Sequence, residues 1–154
     1  MIERPSARAN GPSRAALVIA ARSWIGTPWR HQASARGAGT DCLGLVRGIW
    51  REFYGDEPEP VPAYRADHVA CHGDGLLREA AGRWLVEQRA GVCEPGDVVL
   101  FSLEPGGAAR HLGIIADADR FIHAYAGRAV CESWLSRWWL ARLAGSYRFP
   151  GVAP

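Results

Sequence analysis

The sequence predicts an α+β domain in which N-terminal helices pack on a mostly antiparallel β-sheet. Two observations point there. Up to residue 85 the apolar residues recur at three- and four-residue spacings, the helical period. From Pro95 onward they fall instead in short runs of β-branched and aromatic residues, punctuated by Gly, Pro and Asp. Helices first and strands later is the α+β order, since strict alternation would give a parallel sheet. Length agrees: 154 residues suit one domain, which at this size buries roughly two-thirds of the surface its unfolded chain exposes.

Residues 1–12 read as a flexible arm, with Pro5, Gly11 and Pro12 among polar residues, and 13–154 as a single domain. Ser13 can cap a helix whose inner face is Leu17, Ala20, Ala21 and Trp24, ended by Gly26 and Pro28. Its apolar run, Ala15 to Ala21, is broken by Arg22 and far too short to span a bilayer. This reading has the chain made in the cytoplasm without a signal-peptide route or membrane insertion. Gly26 to Thr40 reads as an ordered loop. Thr40 and Asp41 are N-cap types for a second helix with the stripe Cys42, Leu45, Val46, Ile49, Trp50 and Phe53, stopped by Gly55. Pro58, Pro60 and Pro62 force the next segment to be extended. Leu76, Leu77, Ala80, Ala81, Trp84 and Leu85 mark a third helix. Strands are expected at VVLF, HLGIIA, RFIHAYA, RAVCES and Tyr147–Phe149, with a short helix in WLSRWWLARL.

Composition excludes some functions. A net charge of +2 from scattered arginines gives no nucleic-acid footprint, though a mildly basic surface suits an anionic polymer. The four cysteines include no CxxC pair, and cytoplasmic synthesis favours free thiols. His68, Cys71 and His72 form an H-x-x-C-H cluster without a second ligand pair, which reads as a solvated loop rather than a metal site. No cofactor is implied.

Cys42 stands apart by position. In the first turn of a helix, unpaired N–H groups and the helix dipole favour a thiolate, and the residue's own N–H can face a developing oxyanion. A nucleophile needs a base. His111 and His123 lie on two neighbouring strands, each six residues from Asp117. A hairpin with the three-residue loop Ala116 to Ala118 would set them opposite each other on one face. That arrangement suits a Cys–His–His triad in which His111 takes the thiol proton and His123 fixes its tautomer. His31, in the loop before Cys42, is placed to line a cleft.

The stretches WIGTPWRHQASARGAGTDCLGLV, EPGDVVLF, RHLGII and FIHAYAG resemble the NlpC-type cell-wall peptidases over about Ala21 to Pro150. These are papain-like cysteine peptidases with a helix-borne Cys and a strand-borne His. GTPWRHQAS, DCLGLV and the closing WW…RFP resemble in particular the branch found in tails of phages and gene transfer agents. The resemblance implies Cys42 as nucleophile, His111 as base and His123 as polar third member. It makes Trp29, His31, Asp41 and Leu43 the candidate substrate-binding or oxyanion positions. Trp29 stands where many relatives carry Tyr, Leu43 where many carry Ser, and Gln32-Ala33 where many carry Gly-Gly. Asp41 fits a helix cap rather than a catalytic acid.

The implied reaction is hydrolysis of peptidoglycan stem peptides at D-glutamyl–diaminopimelate bonds through a Cys42 thioester. The implied partners are tail hub or baseplate proteins, with action in the cell wall or periplasm after assembly into a tail particle. Two other readings keep the same residues: a papain-like amidase or acyltransferase, and a non-enzymatic or latent tail-tip subunit. Trp134, Trp138 and Trp139 motivate the last, although core packing over the sheet is the favoured account of them.

Overall fold

The computed structural model describes residues 10–64 and 75–154. Residues 1–9 of the expected arm, and His68, Cys71 and His72, lie outside the described residues. Helix α1 (Arg14–Arg22) leads into a two-stranded ribbon of β1 (Ser34–Ala35) and β2 (Gly39–Thr40). Helices α2 (Cys42–Tyr54) and α3 (Leu76–Trp84) follow, then β3 (Val86–Glu87), β4 (Val98–Ser102), β5 (Ala109–Asp117), β6 (Arg120–Ala124) and β7 (Val130–Trp134). A single helical turn, α4 (Arg137–Leu140), and β8 (Leu143–Arg148) close the chain. The six-stranded sheet runs β3-β8-β4-β5-β6-β7, with every pairing antiparallel. This is the expected α+β architecture.

Strand alternation divides the side chains between the two faces of the sheet. Val98, Leu100, Leu112, Ile114 and Ile122 face the helices and meet Leu17 and Ala21 of α1 and Leu45 and Ile49 of α2. Val99, Phe101, Ile115 and Phe121 face the other way and are covered by Leu135, Trp139 and Leu143. The centre of the sheet is therefore apolar on both sides, which suits a strand such as β5 with its unbroken buried run from His111 to Ala116.

Two glycines set how closely α2 approaches its surroundings. A Cβ on Gly48 would collide with the indole ring of Trp24, itself 3% exposed. A Cβ on Gly44 would collide with the carbonyl oxygen of Ala33. The loop that precedes α2 thus lies directly on the helix's first turn, where Ser34 Oγ donates to the Gly44 carbonyl at 2.6 Å. Downstream, Glu57 is gripped by Arg47 (2.5 Å) and Arg51 (3.0 Å) of α2, and the Trp50 indole donates to the Asp56 carbonyl at 3.0 Å. These contacts lay the proline-rich segment back along α2.

Three expectations need correction. The β5–β6 turn is tighter than the three-residue loop expected, because Asp117 pairs with Arg120 and the extra residue is absorbed as a bulge at Ala116. Ile114 pairs with Ile122, which carries His123 across from Gly113 rather than from His111. The expected ordered loop contains the β1–β2 ribbon, and β3 was not foreseen. Core packing holds only for Trp139: Trp134 and Trp138 are 61% and 49% exposed and lie under Arg120 and Arg142 respectively. A four-residue helix presents too little surface to turn both neighbouring rings inward.

The same substitution should have opposite effects in two helices. Gly48→Ala overpacks the contact between α2 and Trp24, just beyond α1, and should cost about 1–3 kcal/mol. Gly82→Ala, exposed in α3 with nothing within 4 Å of the added carbon, should gain about 0.5–1 kcal/mol from helix propensity. Urea unfolding midpoints of both variants against the parent protein check the pair.

Candidate functional site

The site begins with the cap of α2. Asp41 precedes the helix in extended conformation, and its Oδ1 accepts from Gly44 N at 2.8 Å. Leu45 N bonds to the Asp41 carbonyl at 3.1 Å. Those bonds occupy the third and fourth N–H groups of the helix. The first two, on Cys42 and Leu43, face the Cys42 thiol, joined by the Leu112 N–H of β5. The β5–β6 ladder stops at Ile114–Ile122, so Leu112 lies where the two strands part, and Cys42 sits against that gap.

Asp41 Oδ2 also accepts from Gln32 N at 2.8 Å and from the hydroxyl of Tyr64. Gln32 takes a left-handed φ of 57°, which turns its N–H toward the carboxylate. Asp41 is 2% exposed and both its oxygens are committed, so it positions the loop, the helix and Tyr64 rather than meeting substrate. Tyr64 is buried, and burial together with the Asp41 bond raises its hydroxyl pKa, keeping it a proton donor.

The histidines occupy the sheet face away from the helices. His111 Nε2 lies 2.8 Å from His123 Nδ1, and His123 Nε2 lies 2.8 Å from Ser133 Oγ on β7. Gly113 makes this possible: a side chain there would run into Phe121, the Ile122 carbonyl and His123 Cβ. Without it, the His123 ring leans across β5 to reach a histidine two residues from its own cross-strand partner. These contacts fit either proton order; in the one where His111 Nε2 donates to His123 Nδ1 and His123 Nε2 donates to Ser133 Oγ, His111 Nδ1 is left free to accept a proton.

Around the two rings stand Phe101, Phe121 and Trp139, with Trp139 5.4 Å from each imidazole centroid. This apolar box sets the protonation state. Burial, then the neighbouring His123, pushes the His111 pKa down to about 3, and burial pushes His123 down to about 4. Burial and the Asp41 charge push the Cys42 thiol up to about 12, against the opposing pull of the Leu112, Leu43 and Cys42 N–H groups. The helix start does favour the thiolate, as the sequence implied, but desolvation outweighs it. Both shifts favour the neutral thiol and the neutral imidazole.

Cys42 and His111 line one cavity of about 360 Å³, with Trp29, His31, Tyr64 and Arg110 among its other walls. His31 is exposed at its mouth, stacked 6.4 Å from the Trp29 ring and edge-on 5.1 Å from Tyr64. His123 and Ser133 line a second cavity of about 380 Å³ behind it, separated by Tyr125 and Trp139. Of the candidate positions, Cys42, His111, Trp29, His31 and Asp41 therefore converge on one cavity and His123 backs it. Leu43 departs. Its side chain enters a separate apolar cavity of about 110 Å³ between α2, α3 and Pro58–Val61, because the second residue of a helix points away from the first. Only its N–H serves the Cys42 region.

Tyr64, Arg110, Ser133 and Trp139 were missed as site residues. Tyr64 had a signal, an aromatic ending a proline run that must pack somewhere. Ser133 had only its place on a neighbouring strand, which no motif marks.

The model of the NlpC/P60 family matches residues 26–148. The chain is 32% identical over 139 residues to the gamma-DL-glutamyl hydrolase of Bacillus subtilis strain 168, covering 88% of this chain and 29% of that protein. It is 28% identical over 128 residues to the probable endopeptidase NlpC of Escherichia coli K12, covering 79% of this chain and 71% of that one. The chain thus spans less than a third of the first relative's length. In structure it resembles the NlpC/p60 domain of the peptidoglycan hydrolase SagA, with a TM-score of 0.59 and 22% identity over 88% of this chain and 98% of that domain. Among the described residues, no helix is long and apolar enough to cross a membrane.

The buried imidazoles fix a pH dependence of stability. Unfolded, both would titrate near 6.5; folded, they resist protonation down to about 4 and about 3. The unfolded chain therefore binds more protons in that window, and stability is lost as pH falls below about 6.5. The thermal midpoint should drop between pH 7 and pH 5, and His123→Asn should flatten that slope. An equal slope in the variant contradicts the assignment.

Proposed function

Because the chain belongs to the NlpC/P60 family, we propose that it hydrolyses peptidoglycan stem peptides at D-glutamyl–diaminopimelate bonds, with Cys42 as nucleophile. The observation that carries this is the convergence of the Cys42 thiol and the His111 imidazole on one cavity, with His111 Nε2 2.8 Å from His123. The relative named as a gamma-DL-glutamyl hydrolase supports the choice of bond.

In this scheme the Cys42 sulfur attacks the scissile carbonyl carbon as its proton passes to His111 Nδ1, the ring nitrogen not engaged by His123. Because the resting pair is neutral, proton transfer accompanies attack. The new positive charge is shared with His123, and the oxyanion is met by N–H groups at the start of α2. Collapse breaks the C–N bond, His111 gives its proton to the leaving amine, and a thioester remains. Water then attacks, loses a proton to His111, and the sulfur leaves as a thiol once His111 returns it. His123 and Ser133 hold the ring orientation throughout.

We further propose a role in opening the wall locally during delivery from a phage-like tail. The GTPWRHQAS and DCLGLV segments support it, and the exposed Trp134 and Trp138 supply an aromatic surface of the kind that interfaces use.

Digestion of purified stem peptides, read by mass spectrometry, tests the nucleophile: cleavage by the parent protein should be abolished by Cys42→Ala, and cleavage surviving in the variant would sink the assignment. A graded series tests the relay. His123→Ala should lower kcat by roughly 100-fold or more, and Ser133→Ala by roughly 10-fold, with KM little changed, as expected for groups that orient a general base.

A further inference from the structure

Arg110 precedes the candidate base on β5 and lines the Cys42 cavity. Its guanidinium is half-buried, with 27% of the side chain exposed, and its ionic partner is Glu104 at 3.7 Å, a carboxylate that is itself 72% exposed. That spacing is beyond hydrogen-bond distance and worth little in water. The arginines of α2 contrast with it. Arg47 and Arg51 are both hydrogen-bonded to Glu57, at 2.5 and 3.0 Å.

The charge inventory of the cavity sharpens the contrast. Asp41 is buried with both oxygens bonded, and His111 is held neutral. Among the described residues that line this cavity, Arg110 is the permanent cation, and its planar fork of N–H donors matches a carboxylate. The helix start supplies no competing side-chain donor, since Leu43 turns into the apolar cavity.

We propose that Arg110 determines specificity by pairing with a free carboxylate on the acyl side of the scissile bond, the α-carboxylate of a γ-linked glutamyl residue. A γ-glutamyl amide carries that carboxylate a few carbons from the reacting carbonyl, as Arg110 stands one residue from the base. This deepens the proposed peptidase reading and rests on it. It separates substrates with a free glutamyl carboxylate from those in which it is an amide.

The test is calorimetric binding of synthetic Ala-γ-D-Glu-diaminopimelate peptides to Cys42→Ala protein, with and without Arg110→Gln. Amidating the glutamyl α-carboxylate should weaken binding roughly 10- to 100-fold when Arg110 is present and have little effect in Arg110→Gln. Arg110→Lys should give an intermediate response. In otherwise native enzyme, Arg110→Gln should raise KM for the free-acid peptide while still cleaving the amidated one. An amidation penalty that persists undiminished in Arg110→Gln overturns the proposal, as does a penalty found only when the diaminopimelate carboxylate is amidated. In both cases the peptidase reading stands. If the parent protein cleaves none of these peptides and Cys42→Ala binds none, the peptidase reading itself fails and the Arg110 assignment with it.

Discussion

The carboxylate of Asp41 is the contact on which the rest of the site depends. One oxygen closes the first turn of α2; the other holds the backbone of Gln32 and the hydroxyl of Tyr64. By taking the Gly44 N–H it leaves the Cys42 and Leu43 N–H groups to the thiol. By taking Tyr64 it fixes where the chain beyond the proline-rich segment meets the cavity. A buried carboxylate is costly unless its lone pairs are satisfied, and here each bond that satisfies it also places part of the site. The arrangement is crowded enough that Gly44 has no room for a side chain beneath Ala33.

On the sheet side, the equivalent role falls to an absence. Gly113 lets the His123 ring lie across β5, and the two imidazoles then share a box of Phe101, Phe121 and Trp139. The box keeps both rings neutral, and burial keeps the thiol protonated. Ser133 ends the relay with a group that can accept a proton bond without carrying charge. On the proposed mechanism the device is a relay of neutral groups walled by aromatic rings, and charge develops in the transition state.

Much of this was legible in the sequence because it is local. Asp41 before an apolar stripe marks the cap and the helix, and Cys42 follows as its first residue. VVLF, HLGIIA and RFIHAYA announce strands by composition, and His111 and His123 fall on one face by parity. What failed was long-range or one residue deep. The bulge at Ala116 shifted the hairpin register, so the histidines meet diagonally across Gly113 instead of head-on. The destination of Tyr64 depends on the Arg47, Arg51 and Glu57 contacts, and that of Ser133 on which strand pairs with β6. Neither is encoded in spacing. Leu43 could be named a site position from its neighbour, but only the helix geometry shows its side chain leaving the cavity.

On the proposed mechanism Cys42 forms a covalent acyl intermediate with His111 as its base. Acid quenching during turnover of a γ-glutamyl stem peptide, followed by proteolysis and mass spectrometry, would trap it. The expected result is a thioester adduct carrying the glutamyl-side fragment on the peptide that contains Cys42, present in the parent protein and absent from His111→Ala. Turnover with no adduct at Cys42, or with the acyl group on Cys93 or Cys131, would contradict it.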